Sequence, residues 1–226
     1  LTQPDFSTSV VILSMFCVIM FISTISSKII KRVLLIVLPV LAVLLTLVFV
    51  LPADKNIIPK YQYNRLIGFY DEENEVARDI RYQQENSVTA IAGGGFSGKG
   101  LNNNSITSVK NADFISEPQT DFIFTIVGEE LGFIGSLVTI TLLGLVVFEC
   151  FRIGMRAREQ IGRSIAIGYG TLIAIQSFIN LGVVTMIIPN TGLTLPFVSY
   201  GLSSLVTSYM GIGVILNIGI RKKISF

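Results

Sequence analysis

The stretch SIAIGYGTLIAIQSFINLGVVTMIIPNTGLTLPFVSYGLSSLVTSYMGIGVILNIGI, Ser164–Ile220, runs for 57 residues without one charged side chain. A helix that crosses a bilayer takes about 20 such residues, so this run is long enough for two crossings. Its middle, Pro189–Tyr200, contains Pro189, Gly192 and Pro196, which interrupt a helix. Irregular backbone at membrane depth is tolerated only against protein or a water-filled cavity. The segment therefore either lines a pocket or reverses the chain. Three further uncharged runs, Phe6–Ser27, Val33–Ala53 and Leu131–Phe148, fit one crossing each. The expected fold is an all-α polytopic membrane protein with five transmembrane helices. A composition of 51% hydrophobic and 14% charged residues agrees, since an ordinary soluble domain carries roughly 25% charged residues.

The charges orient the helices. Lys28, Lys31 and Arg32 lie between the first two runs without an acid. Arg152, Arg156, Arg158 and Arg163 follow the third run, against Glu149 and Glu159, and the tail ends with Arg221, Lys222 and Lys223. These segments alternate with Asp54–Asp121, which has seven bases and ten acids, and with the uncharged Pro189–Tyr200. Basic loops stay in the cytoplasm, which predicts an outside N-terminus and a cytoplasmic C-terminus. Residues 1–53 then form two transmembrane helices with a basic cytoplasmic turn. Residues 54–120 form one large extracytoplasmic loop, and 121–226 form three transmembrane helices with a re-entrant-like connection at 189–200. The chain begins at Leu1 with no charged segment before its first apolar run. It is not read as a signal peptide, and a natural N-terminus further upstream is expected.

Several chemistries are excluded or weighed at this level. There is no histidine, which removes histidine bases and histidine metal ligands. Cys17 and Cys150 read as small apolar side chains. Gly93–Lys99 satisfies G-x-x-x-x-G-K, but Gly100 stands where a nucleotide-binding loop needs Ser or Thr, so no nucleotide is expected. The glycines leave backbone N–H groups open to an anion, and with Lys99 they suit a lipid-linked diphosphate or are simply a flexible turn. Ser116 and Gln119 read as a capping box with Pro118 inside it, so a helix is expected to begin there. Glu117 and Asp121 would share one face of that helix. Their mutual repulsion and partial burial are the conditions that prepare a carboxylate as a general base; equally, both acids could serve only the helix terminus. Glu129 and Glu130 follow roughly 12 Å deeper at about 1.5 Å per residue. Carboxylates inside a membrane face a cavity or a partner. Gly128 and Gly132 offer a close helix contact.

Read in order, these motifs carry a resemblance. Gln3-Pro4-Asp5-x-x-Thr8 opens the first run, and Tyr82-Gln83 and Ser87 precede the glycine loop. Glu117-x-x-Thr120-Asp121-Phe122-Ile123-Phe124, Glu129-Glu130-Leu131-Gly132-Phe133-Ile134-Gly135 and Gly192-x-x-Leu195-Pro196-Phe197-x-Ser199-Tyr200-Gly201 follow. Over essentially the whole chain this resembles the last five of the ten spans of the SEDS family, to which RodA, FtsW and SpoVE belong. The resemblance implies a peptidoglycan glycosyltransferase of the bacterial cytoplasmic membrane that polymerises lipid II and releases undecaprenyl pyrophosphate. It implies Asp121 as the catalytic base, with Lys99, Gly98, Gly100, Glu117 and Thr120 at the substrate. Asp5, Glu129, Glu130, Pro196 and Ser199 become structural or cavity-lining residues. A divalent cation, Mg or Mn, is admitted on oxygen ligands, with its metal-binding residues left open. The implied partners are the membrane and a class B penicillin-binding protein, with no nucleic acid.

Gln119 stands where the family has His, Leu202 and Ser7 replace glycines, and Thr191 replaces a base found in some members. These departures lean the resemblance toward a RodA-like branch. Two rival functions remain: a flippase for a lipid-linked sugar, which uses the same cavity without chemistry, and a non-catalytic membrane partner of a penicillin-binding protein. The 226-residue chain alone is expected to be inactive.

Overall fold

A computed structural model of the chain describes residues 6–23, 75–101 and 118–220, together with positions 28, 31–33, 35, 36, 39, 43, 46, 63, 65, 69, 108 and 115. Five helices are named from these: α1 (Phe6–Ile22), α2 (Glu75–Gly94), α3 (Ile123–Arg156), α4 (Gln160–Val184) and α5 (Leu202–Ile220). No strand occurs among the described residues. Helices α3, α4 and α5 are each long and apolar enough to cross a membrane, and α1 is a shorter apolar helix. The second expected span, Val33–Ala53, lies mostly outside the described residues; the positions described within it are helical.

Helix α4 is the hub, touching each of the other four helices. It is also the span with the largest buried share, whereas α3 and α5 turn most of their apolar side chains outward. A membrane supplies the apolar surroundings those outward faces need. Gly168 of α4 lies against Ile19 of α1, and Gly170 lies against Cys150 of α3. Small residues at such crossings let helices approach closely. Cys150 is buried as expected; Cys17 is exposed on α1.

The main core gathers where α2, the start of α3, the end of α4 and the 185–201 connection meet. Phe122, Phe124, Val183, Val184 and Leu195 fill it. Helix α2 presents Gln84, Ser87, Ala90 and Gly94 to this core, at the three-to-four-residue spacing of one helix face. The last carbonyls of a helix have no partner within it. Gln84 Nε2 donates to Val183 O at 2.8 Å and to Ile188 O at 2.9 Å, and Ser87 Oγ donates to Val184 O at 2.9 Å. Within the long loop expected over 54–120, helix α2 thus caps the end of α4.

Helix α3 is two helices in register across one glycine. Gly132 has φ 65° and ψ −159°, a conformation essentially reserved for glycine. In an unbroken helix Phe133 and Ile134 would donate to the carbonyls of Glu129 and Glu130. Instead the glycine-rich segment inserts between them. Phe133 N donates to Gly95 O (2.9 Å) and Ile134 N to Phe96 O (3.3 Å), while Glu129 O and Glu130 O accept from Lys99 N (2.9 Å) and Gly100 N (3.0 Å). Two helical hydrogen bonds are replaced by four tertiary ones, which is how a helix can break at membrane depth without orphaning its backbone.

Candidate active site

The helix expected from Ser116 begins later. Residues 118–122 are turns, and α3 starts at Ile123 with no side-chain cap; Ser116, Glu117 and Asp5 lie outside the described residues. The reason is competition for carbonyls. Tyr200 N donates to Gln119 O at 2.9 Å, Ser199 Oγ to Thr120 O at 2.6 Å, and Asn180 Nδ2 to Asp121 O at 2.7 Å. Three successive acceptors that could have served a first helical turn are taken by the 185–201 connection and by α4. Asp121 therefore lies before α3, on a turn held from outside, rather than on the face of a helix.

The connection is fixed by the same hands. Asn180 Nδ2 also donates to Leu193 O at 2.6 Å, Gln176 Nε2 to Thr194 O at 3.0 Å, and Ser7 Oγ to Thr191 O at 3.0 Å. Ser199 Oγ accepts from Leu195 N at 2.7 Å. Within this frame Gly192 has φ 71° and donates its N–H to Asn190 Oδ1 at 3.1 Å. A β-carbon on Gly192 would lie 2.9 Å from Arg65 Nη1 and 3.5 Å from Asp121 Oδ2. The Asp121 carboxylate and the Arg65 guanidinium thus flank one glycine. Asp121 is half-buried, beside a turn with no side chain to obstruct it.

The site residues of the sequence analysis fall into two groups. Asp121, Thr120, Pro196 and Ser199 come together at the turn before α3, with Pro196 and Ser199 buried. Lys99, Gly98, Gly100, Glu129 and Glu130 meet at the helix break, at the other end of the half-helix Ile123–Leu131. There Lys99 Nζ pairs with Glu129 Oε1 at 2.8 Å, and Ser108 Oγ lies 3.4 Å from Glu129 Oε2. Glu129 is 1% exposed and Glu130 7%. The N–H groups of Gly98, Lys99 and Gly100 donate to Gly94 O, Glu129 O and Glu130 O, so they are not open to cradle an anion. Close approach explains these glycines: a β-carbon on Gly98 would strike Glu130 O, and one on Gly132 would strike Gly98 N. A helix, not a strand, precedes Gly93–Lys99, which is not the setting of a nucleotide loop.

Arg65, Gln176 and Asn180 carry the site's geometry without having been singled out from the sequence. For Gln176 and Asn180 a signal was present: two amides spaced i, i+4 inside an uncharged run share a helix face. Arg65 gave none, being one base among seven in a long loop.

The FtsW/RodA/SpoVE family model, described as a cell cycle protein, matches residues 1–224. A protein of Bacillus subtilis (strain 168) named "Probable peptidoglycan glycosyltransferase FtsW" is 38% identical over 225 residues, covering 99% of this chain and 54% of its own. "Stage V sporulation protein E" of the same organism is 44% identical over 137 residues, 61% of this chain and 36% of its own. A solved chain described under "Structural coordination of polymerization and crosslinking by a peptidoglycan synthase complex" aligns with a TM-score of 0.69 at 26% identity. It covers 99% of this chain and 58% of that one. The chain spans about half the length of the curated relatives it matches.

Proposed function

This chain belongs to the FtsW/RodA/SpoVE family of multi-pass membrane proteins, and from that premise we propose that it forms part of a peptidoglycan glycosyltransferase in which Asp121 is the general base. The observation that carries the proposal is the placement of Asp121 on an externally pinned turn beside Gly192 and Arg65. In the reaction, Asp121 takes the proton from the 4-hydroxyl of one lipid-linked glycan. That oxygen bonds to the anomeric carbon of a second, whose bond to the lipid diphosphate breaks, with the electron pair leaving on the diphosphate. The substrate is lipid II and the leaving group undecaprenyl pyrophosphate.

Lys99 is engaged by Glu129, so Arg65 is the cation we place nearest the reacting groups. A divalent cation would have to arrive with the diphosphate and share the carboxylate of Asp121. Among the described residues no group of three or more acids or cysteines could hold one. We further propose residence in the bacterial cytoplasmic membrane with the basic loops and C-terminus inside, and a class B penicillin-binding protein as partner. The relatives quoted are named FtsW and SpoVE, whereas the sequence departures lean toward RodA; the proposed chemistry is common to the three.

The test is Asp121→Asn in the intact protein from its complete reading frame, with its partner, on purified lipid II. Loss of the base lowers polymerisation by about 10²–10⁴-fold while lipid II binding is retained. Unchanged polymerisation removes Asp121 from the chemistry, and transport of lipid II without polymer by the wild type would favour the flippase.

A further inference from the structure

We infer that Asn180 is the positioning residue of this site: it fixes where the Asp121 carboxylate stands by holding the backbone on both sides of it. Asn180 lies on the buried face of α4 and is 1% exposed. Its Nδ2 spends its two hydrogens on Asp121 O (2.7 Å) and Leu193 O (2.6 Å), which belong to segments 72 residues apart in sequence. One carries the proposed base, and the other adjoins Gly192, against which that base rests. The amide is thus a strut of fixed length between the acid and the turn that faces it. An amide with both hydrogens on carbonyls has only one orientation available. Its Oδ1, buried and without a partner among the described residues, is the side left over from that choice.

A second feature makes the strut consequential. Asp121 has no helix to hold it, because α3 begins at Ile123. Ser199 pins only the neighbouring Thr120 O. Without Asn180 the Asp121 carbonyl loses this donor, and residue 121 is free to shift between the pinned Thr120 O and the start of α3. That movement would carry the carboxylate away from Gly192. A displacement of about 1 Å at a reacting group costs on the order of 10²-fold in rate.

This inference rests on Asp121 being the base, and the experiment separates the two. The intact protein with its partner polymerises lipid II as wild type, Asn180→Ala, Asn180→Asp, Gln84→Ala and Asp121→Asn, with kcat, KM and thermal stability recorded. Asn180→Asp preserves volume and leaves at most one hydrogen for two carbonyls, so one side of the strut is lost. Gln84→Ala is the structural control, since Gln84 also holds two carbonyls at the same helix end but touches neither Asp121 nor Leu193. The expected result is a kcat lowered about 10–10²-fold in both Asn180 variants with KM within about two-fold. Gln84→Ala loses stability with kcat within about two-fold. If the Asn180 variants lose stability as Gln84→Ala does while kcat stays put, Asn180 is only structural and the inference falls. An inactive Asp121→Asn beside fully active Asn180 variants overturns the inference alone, and an active Asp121→Asn overturns the base assignment beneath it. Should Asn180→Ala fail to fold, the volume-preserving Asn180→Asp decides the matter.

Discussion

Lys99 and Glu129 form a pair whose cost is set by unequal burial. Their side chains are 32% and 2% exposed, so the carboxylate depends on the ammonium far more than the reverse. Breaking a fully buried pair costs about 3–5 kcal/mol. The solvated end of Lys99 reduces this to roughly 2–3 kcal/mol by the same reasoning. Lys99→Met is therefore expected to destabilise the protein by about that amount, and Glu129→Gln added to it should recover most of the loss. Thermal unfolding of the single and double variants checks this, and strictly additive losses would refute the pairing. The same cycle separates stability from substrate. If Lys99 also meets the diphosphate, the double variant regains stability but keeps a raised KM for lipid II.

The break in α3 is an element-scale device, because the two half-helices are joined through a loop rather than through their own ladder. Gly132 needs a glycine for its backbone conformation and for its contact with Gly98. Gly132→Ala should lose at least about 1–3 kcal/mol from strain alone and should loosen the 95–100 segment. Gly144, on the same helix, has open space around it. Gly144→Ala should be neutral or stabilising by up to about 1 kcal/mol, the helix preference of Ala over Gly. Comparing the two by thermal unfolding in detergent, with protease cleavage of the loop as a second readout, tests the splice. Equal stability of both variants would mean that the glycine loop does not hold the break.

At the scale of the whole molecule, the outward faces decide what the chain can do alone. Helix α5 buries only Ile215 among its side chains, while Leu202, Tyr209, Met210 and Ile220 are all exposed. Lipid can cover such a face, and so can protein. The relatives are about twice as long as the region matched, and the lipid-linked substrate proposed for it would need walls on more than one side. The 226-residue chain by itself is expected to make no glycan polymer from purified lipid II. Polymer formed by it, with Asp121→Asn inactive in parallel, would show that these five helices suffice.

The membrane character, three of the spans and the break at Pro189–Tyr200 could be read from residues 1–226 in order. Runs without charge, helix-breaking residues and isolated acids are local properties, and the bilayer imposes on each segment separately the need to satisfy its own backbone. Where a segment's backbone groups go when a distant segment competes for them is not local. Ser116–Gln119 carries a sound helix-start pattern, yet Tyr200, Ser199 and Asn180 take the carbonyls that helix would have used. The glycine loop 93–100 suits an anion equally well by sequence, yet the N–H groups of Lys99 and Gly100 meet Glu129 O and Glu130 O, freed by Gly132 more than thirty residues on. Hydrogen-bonding groups are consumed by whichever partner the fold brings first, so the sequence by itself determined which groups were on offer, and only the tertiary structure decided which of them were left for a substrate.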